Sequence, residues 1–205
     1  MLPAPSTRFR RWSRSWRREA GRARSAAPAM RRESVGFPCL RCGRPVSRTA
    51  RDDPRRIRCP RCRYLIYDYP RPCAGMVVVK HGTVLVLRRA HAPRRGCLDI
   101  PGGFMEAGEQ IEAAARRELH EETGLRVGRT EWLGFYWDRY YLRGFGFFPT
   151  MNFYYLAGWR SGTPRAADDA ASAEWMPIQR LGRSGARLAW AHMPALFRDV
   201  RRKLG

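Results

Sequence analysis

Lysine, acidic residues and long apolar runs are scarce in this 205-residue sequence. These scarcities limit the classes of protein to which the chain can belong. No apolar run approaches the roughly 20 residues that a membrane-spanning helix needs, which argues against a transmembrane protein. Only Lys80 and Lys203 are lysines, so the 40 basic residues are almost all arginine, and they outnumber 18 acidic residues. The resulting net charge of +22 attracts polyanions, namely nucleotides, nucleic acid or acidic membrane surfaces, without choosing among them.

Residues 1–33 differ in composition from the rest of the chain. They hold ten arginines and two glutamates among Ser, Ala, Pro and Trp, without a clean apolar period, so we expect a disordered tail. The tail lacks the apolar core of a secretory signal, and we expect a cytoplasmic protein. Its Arg-rich, acid-poor composition leaves organelle targeting and a contact with RNA or membrane open. An alternative start at Met30 would remove nearly all of it.

Four of the six cysteines form two Cys-x-x-Cys pairs, Cys39 with Cys42 and Cys59 with Cys62, sixteen residues apart. Each pair can form a tight turn that aims two thiolates at one point, and two such turns complete a tetrahedral site that suits Zn²⁺. Four protein ligands leave no open position, so the zinc would be structural. The spacing resembles a zinc ribbon over residues 37–69. Two disulfides or a lost metal site are the alternatives.

The remaining chain alternates strand patterns with helix patterns. The predicted strands are Met76–Val79, Val84–Leu87, Leu98–Ile100, Thr130–Trp137, Met151–Trp159 and Ala173–Met176, with a hairpin turn at His81–Gly82. A C-terminal helix is expected over Pro194–Leu204, with Leu196, Val200 and Leu204 on its apolar face. Cys73 and Cys97 are expected in the core and His192 on a helix surface. Strands split by a central helix and closed by another predict an α+β sandwich with a mixed sheet between helices.

The central helix is rich in acids and follows a Pro-Gly-Gly turn at Pro101–Gly103. We place it over Glu109–Thr123. Its apolar stripe consists of Ile111, Ala114, Ala115 and Leu119. Glu118, Glu121 and Glu122 fall on or beside that stripe, where an amphipathic helix normally faces its core. The residues expected to point away are Arg116, His120 and Thr123.

Three neighbouring, partly buried carboxylates repel each other and lose hydration, and both effects are unfavourable. A bound divalent cation compensates for them. Carboxylate oxygens suit Mg²⁺ or Mn²⁺. We predict Glu118 and Glu122 as metal ligands and Glu121 as a third, bound directly or through water. Arg117 lies one turn before Glu121 and can pair with it. A solvated acidic face is the alternative interpretation.

The run from Gly103 to Leu125 reads Gly-x5-Glu-x7-Arg-Glu-Leu-x-Glu-Glu-x-Gly-Leu. It resembles the Nudix box of the Nudix hydrolase family at every defined position. The resemblance implies an α/β/α sandwich, preceded here by the ribbon, and a metal ion that also binds the backbone carbonyl of Gly102. It implies supporting roles for Gly103, Glu109 and Arg117.

The same resemblance implies that the general base is either a box glutamate, Glu121 or Glu122, or a carboxylate on a later loop. We select Asp169 on that loop, next to Asp168. A solvated Asp-Asp turn is the alternative. Glu174 is a further candidate.

A zinc ribbon followed by a catalytic domain, here residues 70–205, resembles ADP-ribose, FAD and NADH pyrophosphatase-type members of the family. This implies a Mg²⁺-dependent enzyme that cleaves the phosphoanhydride of a nucleoside diphosphate joined to another group. Gly144–Thr150 shares only a Phe-Pro fragment with the signature of the NADH-directed members. The alternatives are an RNA-cap- or NADH-directed enzyme, and a nucleic-acid-binding protein whose Nudix domain senses a ligand. A homodimer is consistent with the resemblance.

Overall fold

The computed structural model describes residues 36–47, 56–67, 69–142, 146–181 and 187–205. The tail expected over residues 1–33 lies outside these ranges. The described residues belong to one compact unit, Ser34–Gly205. In these ranges we find no helix that is both long and apolar enough to cross a membrane.

Two short antiparallel hairpins carry the paired cysteines. Strands β1 (Gly36–Pro38) and β2 (Pro45–Ser47) form the first, and β3 (Arg56–Arg58) and β4 (Leu65–Tyr67) form the second. The buried residues of this small core are Cys39, Val46, Ile57 and Cys59. So small a core buries little apolar area, and for that reason a metal would have to supply much of its stability.

A seven-stranded mixed sheet forms the rest of the described chain. Its strands are β5 (Arg71–Lys80), β6 (Thr83–Arg89), β7 (Leu98–Asp99), β8 (Gly102–Phe104), β9 (Thr130–Leu142), β10 (Gly146–Gly158) and β11 (Ala170–Pro177). The main order is β11-β6-β5-β10-β9, with β7 paired to β6 and β8 paired to β5. The β5–β10 pair is parallel and the other pairs are antiparallel, so the predicted mixed sheet is confirmed.

Two helices cover the sheet, α1 (Ile111–Thr123) and α2 (Met193–Leu204). Side chains alternate along β5, so that Met76 packs with the α1 cluster and Val77 with the α2 cluster. The predicted α+β sandwich with helices on both faces is therefore confirmed.

Strands β9 and β10 are longer than the sequence pattern predicted. Their pairing continues to Leu142 and Gly146, beyond the predicted strand ends at Trp137 and Met151. Cross-strand aromatic contacts, such as Tyr140 with Phe148, hold this extension together. In α2 the expected burial of Leu204 is wrong, because the helix ends there and the side chain is 47% exposed.

Candidate active site

Helix α1 carries the acid cluster and is fixed at both ends. It begins at Ile111, two residues later than predicted, and ends at Gly124, whose φ of 71° is the left-handed conformation that glycine adopts without strain. Leu119 is buried against β5, and this orients Glu122 inward. The expectation that Thr123 points away is wrong, since it is buried and its hydroxyl donates to the Leu119 carbonyl.

Glu122 is the most deeply buried acid of the helix, with 8% of its surface exposed. It accepts a hydrogen bond of 2.9 Å from the Gly102 N–H. Burial raises the pKa of its carboxyl to about 8, although the Gly102 contact acts in the opposite direction. Burial likewise raises the pKa of Glu118. A bound cation would favour the ionised form of both groups.

Arg117 forms hydrogen bonds to three other acids of the site, Glu109, Glu118 and Glu121. Its Nε and Nη2 donate to the two oxygens of Glu109 at 2.9 and 3.0 Å, and its Nη1 donates to both Glu118 and Glu121 at 2.9 Å. Nη2 also reaches the Phe104 carbonyl at 3.2 Å. The predicted Arg117–Glu121 pair is confirmed. Glu109 lies before the helix, and its carboxylate accepts hydrogen bonds from Arg117 and from the Glu106 N–H.

Two glycines of β8 allow the close approach of helix and strand. A Cβ on Gly103 would lie 2.6 Å from a Glu118 carboxylate oxygen. A Cβ on Gly102 would lie 2.6 Å from the Ala74 carbonyl oxygen. A larger residue at Gly102 would therefore displace the β5 backbone, whereas a larger residue at Gly103 would move the Glu118 carboxylate from its observed position.

The later loop is attached to the C-terminal end of α1. The Ala167 N–H donates to the Glu122 carbonyl at 3.0 Å, and the Asp169 carbonyl accepts from the Ala90 N–H at 2.8 Å. These bonds place Asp168 and Asp169 at the same cleft as the helix acids. Glu174 instead pairs with Arg88 on the sheet surface, and the residues that line the cleft do not include it.

The cleft between α1, β8, β9, β10 and this loop encloses about 370 Å³. Eight acidic side chains and two arginines line it, in a protein whose net charge is +22. The acids are Asp99, Glu106, Glu118, Glu121, Glu122, Asp138, Asp168 and Asp169, and the arginines are Arg89 and Arg117. So strong a local excess of negative charge suits a site for cations.

Asp99 belongs to the cleft although we did not select it from the sequence. It is buried at the end of β7 and accepts hydrogen bonds from Arg89 Nη1 at 3.1 Å and Trp190 Nε1 at 2.8 Å. Burial raises its pKa, against the effect of Arg89. A polar residue inside an apolar strand was the only local signal for it.

His192 is a second residue that we misplaced, since it is buried and not on a helix surface. Its Nδ1 lies 2.7 Å from Asp138 Oδ2, and its Nε2 lies 2.9 Å from the Tyr154 hydroxyl. Burial acts to raise the pKa of Asp138, but hydrogen bonds from His192 and the Arg139 N–H hold it below its ordinary value. Asp138 and Tyr154 both line the cleft, so the chain of hydrogen bonds braces one wall.

Aromatic rings form another wall. Tyr140 stacks on Trp190 with centroids 5.4 Å apart and meets Phe104 edge-on at 5.2 Å. Of the aromatic residues Tyr136, Trp137, Tyr140 and Tyr141 on β9, only Tyr140 is among the residues that line the cleft. Tyr136 packs against His192 instead.

Residues 69–199 match the profile of the NUDIX domain family. This match covers well over half of the chain. The chain belongs to the Nudix family.

Individual relatives agree with this assignment. An ADP-ribose pyrophosphatase of Methanocaldococcus jannaschii is 32% identical over 145 residues, which cover 70% of this chain and 80% of that protein. An NAD-capped RNA hydrolase NudC of Pseudomonas aeruginosa is 35% identical over 97 residues, which cover 47% of this chain and 34% of that protein. The crystal structure of a MutT NUDIX hydrolase from Burkholderia pseudomallei matches with a TM-score of 0.55 and 27% identity, over 64% of this chain and 98% of that one. Nudix hydrolases use divalent metal ions.

The donor chemistry of the Nudix cleft fits such ions, since all the acids offer hard oxygen atoms. The carboxylate oxygens of these acids, however, lie farther apart than the ligands of a single ion. Opposite ligands of an octahedral Mg²⁺ are about 4.2 Å apart, and in the described ranges the only set of three or more potential ligands within 4.8 Å of one another is the cysteine set. Arg117 holds Glu118 and Glu121 in the observed arrangement. A single ion would therefore reach three glutamates only through side-chain rotation or intervening water.

The four cysteines converge as predicted. The Cys39 and Cys62 sulfurs are 3.6 Å apart and those of Cys42 and Cys59 are 3.8 Å apart. Tetrahedral thiolates at Zn–S distances of about 2.3 Å would be about 3.8 Å apart, whereas a disulfide would need about 2 Å. All four are free, so the disulfide alternative is wrong. The Cys62 N–H lowers the pKa of the Cys59 thiol to about 6. Although the Tyr64 N–H acts in the opposite direction, burial and the neighbouring thiols raise the pKa of Cys62 to about 11. A bound cation would favour the thiolate form of both.

Proposed function

We propose that this Nudix domain is a Mg²⁺-dependent pyrophosphohydrolase that cleaves the phosphoanhydride of a nucleoside diphosphate joined to another group. The observation that carries the proposal is the acidic cleft in a strongly basic protein. An anionic diphosphate would be repelled from eight carboxylates unless cations bound there first. Divalent ions resolve this conflict, and the surrounding arginines then attract the substrate to the protein.

In the proposed site Glu118, Glu122 and the Gly102 carbonyl hold Mg²⁺ or Mn²⁺, and Glu121 contributes directly or through water. When bound, the ions supply charge neutralisation at the phosphates and a water of lowered pKa. Arg117 keeps Glu118 and Glu121 on the cleft side of the helix, and Glu109 orients Arg117. Gly103 leaves room for the Glu118 carboxylate.

Asp169 is the proposed general base, with Glu121 and Glu122 as the alternatives within the helix. Its loop is hydrogen-bonded to the last turn of α1 and to Ala90, so its carboxylate is held near the metal-binding acids. In this role it takes a proton from the attacking water while the oxygen adds to phosphorus. Asp168 lines the same cleft and is the residue against which Asp169 must be compared.

ADP-ribose is the substrate that we favour, with FAD as a related candidate. The M. jannaschii relative named as an ADP-ribose pyrophosphatase aligns over most of its own length. Stacked Tyr140 and Trp190 offer aromatic faces to a base, and Arg89 supplies a positive charge at the cleft. Hydrolysis of ADP-ribose would add one water and release AMP and ribose 5-phosphate.

An NAD-capped RNA or NADH substrate is the second candidate. The identity of 35% to a NudC protein favours it, although the alignment spans only 34% of that relative. The sequence Gly144–Thr150 retains only Phe-Pro of the NADH signature, which argues against it.

A hydrolysis screen with Mg²⁺ and Mn²⁺ tests the proposal. The panel contains ADP-ribose, FAD, NADH, dinucleoside polyphosphates, nucleoside triphosphates and NAD-capped RNA, and H₂¹⁸O labels the attacked phosphorus. We expect metal-dependent cleavage, with ADP-ribose or FAD turned over fastest and ¹⁸O in one phosphate product. Activity on triphosphates alone would reject the linked-diphosphate substrate class, and turnover without any metal would reject the metal role.

We further propose a structural Zn²⁺ on the four cysteines of a ribbon over residues 37–69, ahead of a catalytic domain over residues 70–205. The ribbon has a small core of its own, in which Val46 and Ile57 pack with the thiols. Self-association as a homodimer stays a prediction, which light scattering of the purified chain checks.

A further inference from the structure

The second ribbon hairpin presents a polar and aromatic face to solvent. Ile57 pairs with Ile66, and both pack into the cysteine core. Residues alternate across a strand, so the next cross-strand pair, Arg58 with Leu65, and the neighbouring Tyr67 lie on the opposite face. Arg58 and Tyr67 are exposed there.

Two exposed tyrosines on this face are stacked on each other. The rings of Tyr67 and Tyr69 have centroids 5.5 Å apart and planes 14° from parallel. Their residues are 46% and 71% exposed, so the pair is ordered without being buried. Stacked, solvent-facing rings offer the π-surface on which an unpaired base can continue the stack.

The same hairpins are rich in arginine and poor in acids. Their exposed arginines are Arg41, Arg44, Arg58, Arg61 and Arg63. The ribbon sequence over residues 37–69 holds nine arginines against three acids, Asp52, Asp53 and Asp68, which lie outside the described ranges. None of these five guanidinium groups has an acidic or hydrogen-bonding partner among the described residues. Four arginines of the Nudix domain, Arg88, Arg89, Arg116 and Arg117, do pair with carboxylates. Five guanidinium groups without such a partner suit an external polyanion.

We propose that this tyrosine–arginine face, formed by Arg58, Tyr67 and Tyr69, binds a single-stranded nucleic acid together with the other exposed arginines of the ribbon. The tyrosines stack on bases and the guanidinium groups contact phosphates. A single strand fits better than a duplex, because bases in a duplex are already stacked and are not free to cover a tyrosine. A purely electrostatic partner, such as an anionic membrane, would use the arginines but would not need the stacked rings.

Binding of fluorescent oligouridine and oligothymidine to the full-length, zinc-loaded protein tests the proposal by anisotropy. The key variant is Tyr67→Ala/Tyr69→Ala, and Tyr141→Ala is the matched control, since Tyr141 is 44% exposed on β9. We expect at least roughly tenfold weaker binding in the double variant, the size of a lost base stack, and wild-type binding in the control. The RNA and DNA arms show which strand is preferred.

The arginine contribution is measured by the dependence of affinity on salt. Arg58→Gln should reduce the slope of log K against log salt by about 0.7, the value for one phosphate contact on a single strand. Arg126→Gln removes the same charge from an exposed position in the Nudix domain and should leave the slope unchanged. Equal slopes in the two variants would overturn the assignment of Arg58.

Two further results would overturn the proposal: wild-type affinity in the tyrosine double variant, or equally tight binding of a blunt duplex or of anionic vesicles. The proposal is independent of the hydrolase activity. The double variant should hydrolyse ADP-ribose at the wild-type rate, so a protein that binds strands without hydrolysing any nucleotide would reject only the proposed function.

Discussion

Replacing Glu122 with glutamine should abolish hydrolysis and stabilise the metal-free protein at the same time. Glutamine has nearly the same shape, and its amide oxygen can still accept the Gly102 N–H at the 2.9 Å position. What is lost is the buried negative charge. If that charge binds the metal ion, its removal should abolish Mg²⁺-dependent hydrolysis and leave the fold intact.

The effect on stability follows from the raised pKa. At low pH the carboxyl is protonated in both the folded and the unfolded chain. As the pH rises above the ordinary value of 4.5, the unfolded chain releases its proton while the folded chain retains it up to about 8, so the free energy of unfolding falls. At pH values above 8 the full loss applies, roughly 5 kcal/mol as an upper bound. Glu122→Gln has no carboxyl group to titrate at this position, so its free energy of unfolding should fall less steeply as the pH rises.

Urea unfolding at mildly acidic and mildly alkaline pH measures the effect, in Mg²⁺-free buffer without a chelator so that the ribbon keeps its zinc. Added Mg²⁺ should stabilise the wild type and leave Glu122→Gln unchanged. Glu121→Gln is the control, because that side chain is 46% exposed and should not gain stability. A Glu122→Gln protein that hydrolyses normally would refute the metal-ligand role, and one no more stable than the wild type at alkaline pH would refute the burial argument.

Three further changes test other parts of the molecule. Gly103→Ala places a methyl group 2.6 Å from the Glu118 carboxylate; we expect kcat to fall roughly 100-fold with an unchanged circular dichroism spectrum, because misplacement of about 1 Å has that cost. Asp169→Asn should lower kcat by about 10² to 10⁴ and leave KM nearly constant if Asp169 is the base. If Asp168→Asn shows this loss and Asp169→Asn does not, then Asp168 is the general base. Cys59→Ser should reduce bound zinc from about one atom per chain to near zero by atomic absorption, and full zinc retention would contradict the four-thiolate site.

Much of the site could be predicted from the sequence because its parts are local. Glu118, Glu121 and Glu122 lie within two turns of one helix, so helical periodicity alone brings them together. The Arg117–Glu121 pair follows from the same spacing. The two Cys-x-x-Cys turns also bring their sulfurs together locally, and tetrahedral coordination requires only that the two turns meet.

The parts that were missed depend on the packing of distant elements. His192 begins α2, more than 50 residues after its partner Asp138 on β9, and no spacing rule connects them. Thr123 lies at the edge of the helical apolar stripe, so only the position of the helix against the sheet could decide its burial. The extension of β9 and β10 likewise depends on cross-strand aromatic pairs.

The sequence by itself therefore determined the family and the layers of the fold, and it predicted the candidate donor atoms of the two proposed metal sites, since each follows from short segments with fixed spacing. The tertiary structure decided which side chains complete the cleft. Parallel pairing of β5 with β10 and the packing of α2 bring Asp99, Asp138 and Trp190 to the acid helix. It also showed that Arg117 bridges Glu118 and Glu121 through one nitrogen, because hydrogen-bond geometry depends on three-dimensional distances that a linear pattern does not contain.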